Sequence, residues 1–157
     1  ALLAALALTW QGTTYIPPGA TPPSESGDIW VLGQSDEGLY LAIAHPIAFE
    51  PGKVRAVTLV TIYRRPEAQP GGRLADRHDM GLIFDCAART TQITGSALWD
   101  TNGLGIEVRG PVRGSHAVPT SSAVGLAYGM MCQGKGEKRA GQYMHDIVAR
   151  WRSTGRP

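Results

Sequence analysis

Two cysteines, Cys86 and Cys132, allow one bridge within the chain, and this pair most constrains the fold. Neither belongs to a C-x-x-C motif and no histidine pair stands at zinc-ligand spacing, so their pattern indicates neither zinc binding nor dithiol redox chemistry. The cysteine count alone leaves two alternatives, a structural disulfide or a pair of free buried thiols. The residue patterns around the two cysteines favour the disulfide.

The residues before Cys86 alternate as in a strand, because Met80, Leu82, Phe84 and Cys86 share one face at a two-residue period. Cys132 ends a stretch with helical spacing, and residues 119–122 offer an N-cap for that helix. The apolar stripe of this helix consists of Val124, Ala127, Tyr128, Met131 and Cys132. Both thiols therefore face one predicted sheet–helix interface, where a bridge would stabilise the fold by about 4 kcal/mol in the chain-entropy model.

The rest of the central region is typical of β structure, with short apolar runs separated by turn signals. The strongest run, at 54–63, has apolar residues on both faces, which indicates a central strand that is covered on both sides. A polar, proline- and glycine-containing loop is predicted at 64–77. We predict an α+β fold with an antiparallel sheet of about six strands, at 29–32, 39–44, 54–63, 80–86, 92–99 and 104–108, and a C-terminal helix that is disulfide-linked to it.

An uncharged apolar segment, ALLAALALTW, precedes this domain. Ten helical residues would rise only about 15 Å, half of a bilayer core, so residues 1–11 are interpreted as a signal-peptide remnant or a membrane anchor. A buried N-terminal helix is the alternative. Residues 12–27 have the composition of a proline-rich linker and residues 28–134 form the predicted α+β domain. The expected membrane or partner contacts of the first segment are Leu2, Leu3, Leu6, Leu8 and Trp10.

Residues 135–157 are predicted to form a basic amphipathic helical tail, with the helix at 137–152. Its apolar stripe carries Tyr143, Ile147 and Trp151, and arginines lie opposite. Two alternatives remain open, because such a helix can pack on its own domain or lie on an anionic membrane or a protein partner. The candidate contact residues of this tail are Arg139, Tyr143, Arg150, Trp151 and Arg152.

Residue types that carry chemistry are scattered through the sequence. The four histidines belong to different predicted elements, and the cluster at 76–79 suits a loop better than a metal site. Ser115 and His116 are adjacent but no strand–turn–helix elbow precedes them. We therefore expect no catalytic residue, no metal and no cofactor. The net charge of +2 gives no indication of nucleic-acid binding.

The region from Trp30 to Cys132 resembles the surface-adhesin protein E family of small exported bacterial proteins. The resemblance is carried by Trp30–Val31, by the turn SDEGLY at 35–40, by Phe84–Asp85–Cys86 at a strand end and by the helix that closes on Cys132. It implies an antiparallel sheet with a disulfide-linked C-terminal helix, export after signal-peptide processing and binding of host matrix proteins. It transfers no ligand-binding residue, since the matching positions are core and turn positions.

These observations lead to one functional hypothesis and two alternatives. The hypothesis is a non-catalytic structural or accessory subunit of a larger membrane-associated assembly, which acts through protein–protein contacts. It would be periplasmic or lie on the outer face of a bacterial membrane, tethered by its N-terminus. The alternatives are a stand-alone surface or periplasmic adhesin and an unrecognised enzyme.

Overall fold

The computed structural model describes residues 28–49, 54–139 and 142–157. No helix in these ranges is long and apolar enough to cross a membrane. The strands are β1 (Asp28–Gln34), β2 (Gly38–Phe49), β3 (Val54–Ala68), β4 (Leu74–Asp85), β5 (Thr90–Asp100), β6 (Gly105–Arg109), β7 (His116–Ala117) and β8 (Glu137–Arg139). The helices are α1 (Ala123–Gln133) and α2 (Met144–Thr154).

All strands join one antiparallel sheet in the order β6-β5-β4-β3-β2-β1-β8, and β7 pairs with β5 beside β6. The predicted α+β class with an antiparallel sheet is confirmed. Within the part of the chain that the structure describes, the sheet has eight strands where about six were expected. The two additional strands, β7 and β8, have two and three residues, too few for an alternating pattern to show in the sequence.

Each face of the sheet is covered by one helix. Ile29 and Val31 of β1 face α2, whereas the intervening Trp30 faces α1, as the two-residue period of a strand requires. In β3, Val57 and Leu59 pack toward α1 while Val60 and Ile62 pack toward α2. The two-sided apolar pattern of this strand predicted that it is covered on both sides at least in part, and the structure shows that the covering layers are the two helices.

The disulfide between Cys86 and Cys132 is confirmed, with 5.4 Å between the two Cα atoms. Cys86 follows the end of β4 and Cys132 lies in the last turn of α1. The Tyr128 hydroxyl donates a hydrogen bond of 3.0 Å to the Cys86 carbonyl, and its ring meets Phe84 edge-on with 5.6 Å between centroids. The predicted N-cap is present too, since Gly125 N donates to Ser122 Oγ. Helix α1 is thus fixed to the sheet by covalent and polar contacts.

The loop predicted at 64–77 is largely strand. β3 continues to Ala68 and β4 begins at Leu74, so only residues 69–73 connect them. The extension pairs Glu67 with Ala75 after an irregularity in register that follows Ile62. Its side chains are mostly exposed and polar, so this hairpin end lacks the apolar alternation by which the rest of β3 is recognised.

The C-terminal segment is part of the sheet domain and not a separate tail. The predicted helix at 137–152 is replaced by strand β8, which pairs with β1, and by helix α2, which begins only at Met144. Met144, Ile147 and Trp151 are buried in the cluster that β1, β2 and β3 form on this face. A boundary after residue 134 therefore does not divide the described fold, because β8 and α2 complete the sheet edge and one layer.

Candidate functional site

The predicted contact residues of the first segment, Leu2, Leu3, Leu6, Leu8 and Trp10, lie outside the described residues. The predicted contact residues near the C-terminus, by contrast, can be placed individually. They differ in burial and in their partners.

Trp151 belongs to the core and is only 2 % exposed. Its Nε1–H donates a hydrogen bond of 2.8 Å to Gln34 Oε1, and the Arg64 guanidinium lies 4.9 Å from its ring centroid. A side chain that fills the space between α2 and the sheet is not available to a membrane or a partner. This location corrects the sequence interpretation of Trp151, whose helical position is compatible with either a surface or an interior stripe.

Two of the three candidate arginines are engaged within the domain. Arg152 donates to Asp76 Oδ1 at 2.6 Å, which ties the end of α2 to the start of β4. Arg139 donates to Glu137 Oε2 and to the carbonyl oxygen of Pro157, both at 3.1 Å. The side chains of Tyr143, Arg150 and Arg152 are exposed, and of these Arg152 is held by its ion pair with Asp76.

The four residues of the cluster at 76–79 do not converge on one point, because they have different partners. Arg77 binds Asp79 through two hydrogen bonds of 2.6 and 2.9 Å, and Trp99 Nε1–H donates to the same carboxylate at 3.1 Å. Burial raises the pKa of Asp79, and the hydrogen bonds from Arg77 act in the opposite direction. The buried pair is satisfied internally and holds the centre of the sheet.

His78 lies on the other face of β4, in cross-strand register with Leu98 and, one strand further, Glu107. Burial lowers the pKa of His78, and the Arg109 guanidinium adds to that effect. No group of three or more histidine, cysteine or carboxylate side chains in the described ranges is placed to hold a metal ion.

An open groove of about 380 Å³ runs along the outer side of α1. Its size is within the range of protein ligand sites. Residues from five parts of the chain line it: the end of β1, the turn after β4, the segment before α1, α1 itself and the turn after α1. These residues are Leu32, Arg89, Val118, Thr120, Gly125, Leu126, Tyr128, Gly129, Gln133, Lys135 and Gly136.

Two glycines of α1 explain the shape of this groove. A Cβ atom on Gly125 would lie 2.3 Å from the Pro119 carbonyl oxygen, so this glycine lets the chain before α1 approach the helix closely. A Cβ atom on Gly129 would have Lys135 Cδ as its nearest neighbour, at 3.5 Å. Gly129 is buried beneath flexible side chains and a Cβ atom there would make ordinary van der Waals contacts, whereas a Cβ atom on Gly125 would collide with backbone.

The groove carries positive charge. Arg89 and Lys135 line it, no acidic residue does, and within the described part of the chain neither cation has a side-chain hydrogen bond or ion pair. Arg89 has φ of 55°, a left-handed conformation that costs a non-glycine residue roughly 1–2 kcal/mol. Its carbonyl accepts a hydrogen bond of 3.1 Å from Val118 N, which helps to hold the turn. Strained backbone of this kind often accompanies binding sites.

Sequence reasoning did not find the groove. The spacing of Gly125 and Gly129 on one helix is visible in the sequence, but it is equally typical of close packing. Arg89 and Lys135 are 46 positions apart, like the two cysteines, and only the folded chain shows that the two cations share one surface. The predicted disulfide was the sequence feature that could have indicated the groove, because it places the turn after Cys86 beside the end of α1.

Comparisons of the chain with protein-family models, with curated proteins and with solved structures find no match. The resemblance to the surface-adhesin protein E family over residues 30–132 therefore stays a prediction. The fold and the groove are described from the geometry of this chain alone.

Proposed function

We propose that this protein is a non-catalytic accessory subunit of a membrane-associated assembly, exported to the outer side of a bacterial membrane, and that it acts through protein–protein contacts at the α1 groove. The observation that carries the proposal is the groove itself. An open surface with apolar side chains and two cations that have no side-chain partner among the described residues has the composition of a binding surface, since apolar anchors supply affinity and charges supply specificity.

The groove is also held in place, as a binding surface requires. The Cys86–Cys132 disulfide and the hydrogen bond from Tyr128 to the Cys86 carbonyl fix the helix that forms its floor. Binding to a fixed surface costs less conformational entropy than binding to a mobile one. The disulfide is also consistent with an oxidising compartment outside the cytosol, which is what export would provide.

Site-specific photo-crosslinking in the cells that produce the protein tests this function. A photoreactive amino acid replaces Gln133, which is exposed at the groove, or Ala149, which is exposed on α2 at the opposite face of the sheet. We expect the Gln133 position to capture one defined protein after irradiation of intact cells. The Ala149 position, a matched helical site, serves as the control and should give at most a weak adduct.

The same cells provide a second measurement. After extraction in mild detergent, the chain should migrate with the captured protein as a complex larger than a monomer. A lone monomer that salt releases from the membrane, together with no adduct at Gln133, would contradict the accessory-subunit function. A monomer that still gives an adduct with an external protein would instead support the stand-alone binding module.

A further inference from the structure

Four side chains give the groove an apolar part. Leu32, Val118, Leu126 and Tyr128 contribute to it, and Leu126 is 42 % exposed although it lies in a well-formed helix. An exposed leucine side chain is buried further when a ligand covers it. The apolar group of such a ligand would lie against Leu126 and the neighbouring apolar lining residues Leu32, Val118 and Tyr128.

Two cations contribute the charged part. Arg89 comes from the turn after β4 and Lys135 from the turn after α1, so they approach the groove from different segments. A purely apolar ligand would desolvate these cations without compensation, at a considerable cost in free energy. A small inorganic anion would leave the apolar part uncovered. The lining therefore fits a ligand that combines apolar groups with carboxylates.

The openness of the groove favours a peptide over a small molecule. Sites for small ligands usually enclose most of the ligand surface, whereas Arg89, Thr120, Leu126, Gln133 and Lys135 are all exposed here. A peptide tolerates such a site, because single anchor side chains enter the groove while its main chain stays in water. From these features we infer that the groove binds a segment of a partner protein in which aspartate or glutamate residues flank an apolar side chain.

This inference rests on the proposed function and names the chemistry of the partner at the same groove. The test uses the oxidised full chain and a phage-displayed library of random peptides. Peptides with acidic residues beside leucine, isoleucine, valine or phenylalanine should be enriched. A fluorescein-labelled synthetic copy of an enriched peptide then gives Kd by fluorescence anisotropy.

Two double variants carry the same change in total charge. R89E/K135E reverses both groove cations, and we expect it to weaken binding of the acidic peptide about tenfold or more. R113E/R150E reverses two exposed arginines that do not line the groove and should change Kd less than about twofold. Peptides selected against R89E/K135E should in turn contain lysine or arginine, because the groove then presents carboxylates.

Several results would overturn the inference. These are the absence of acidic peptides after selection, an equal loss of affinity in both double variants, or unchanged affinity in R89E/K135E. Binding of vesicles containing an anionic lipid that depends on Arg89 and Lys135, without peptide binding, would assign the groove to a membrane surface instead. Failure of this inference can be distinguished from failure of the proposed function in the crosslinking experiment. A protein captured at Gln133 through a segment without carboxylates would preserve the proposed function and refute only this inference.

Discussion

The two glycines of α1 give a sharp test of how the groove is built, because the same substitution should have opposite effects at positions one turn apart. Alanine is favoured over glycine in the interior of a helix by about 1 kcal/mol, chiefly because glycine loses more backbone freedom on folding. At Gly129 nothing offsets this gain, since the added Cβ would lie 3.5 Å from Lys135 Cδ and 3.8 Å from Gln133 Oε1. G129A should therefore raise the free energy of unfolding by about 1 kcal/mol.

At Gly125 the added atom meets backbone that has no freedom to withdraw. The Cβ would lie 2.3 Å from the Pro119 carbonyl oxygen and 3.0 Å from that of Thr120. Overpacking of this kind costs about 1–3 kcal/mol, and the hydrogen bond from Gly125 N to Ser122 Oγ would be strained as well. After subtraction of the helical gain, G125A should be less stable than the wild type by up to about 2 kcal/mol.

Urea denaturation of the oxidised protein, followed by circular dichroism, measures both values. The two variants should differ by about 1–3 kcal/mol in the free energy of unfolding, and G129A should melt about 3 °C above the wild type. Equal effects at both positions, or a clear destabilisation by G129A, would refute the reasoning. A destabilisation by G129A would mean that Lys135 and Gln133 leave no room for a Cβ atom at this position.

Two further predictions concern the disulfide and the half-buried His78. Replacing Cys86 and Cys132 together by alanine should lower the free energy of unfolding by about 4 kcal/mol, and dithiothreitol should destabilise the wild type but leave the double variant unchanged; an equal response of both proteins would contradict a stabilising bridge. Burial lowers the pKa of His78, so the folded state resists protonation of this imidazole. The contribution of the neutral histidine to stability is therefore present above the unfolded pKa of about 6.5, and it is lost as the pH falls through the folded pKa. Urea midpoints at pH 7.5 and pH 5 should therefore differ more for the wild type than for H78Q, and identical differences would exclude His78 as the source.

The sequence alone predicted those strands and helices whose apolar residues recur with a clear strand or helix period. The alternation through Phe84 to Cys86 and the helical spacing through Tyr128 to Cys132 predicted one interface, and the structure has that interface with its disulfide. Both signals come from residues that share a face within one element. Such faces can be read locally, because side-chain direction follows directly from strand and helix geometry.

What the sequence did not show depends on contacts between distant segments. Strand β8 has three residues and forms by pairing with the free edge of β1. Its short sequence therefore has no local pattern that distinguishes it from the start of a helix. The sequence position of Trp151 is compatible with a surface anchor or with a core residue. Its contacts with Gln34 and Arg64, which only the folded chain shows, place it in the core. The groove has the same origin, since Arg89 and Lys135 meet only after the sheet and α1 have assembled.

The pairing of β1 with β8 also has a consequence for the order of assembly. β1 lies between β2, which follows it directly in the chain, and β8, which lies more than a hundred residues later. Until that late segment is available, the outer edge of β1 keeps unpaired backbone groups that can recruit another chain. A chain that emerges slowly from its N-terminus would be exposed to aggregation during that interval, and it would need a chaperone or rapid completion to protect this edge.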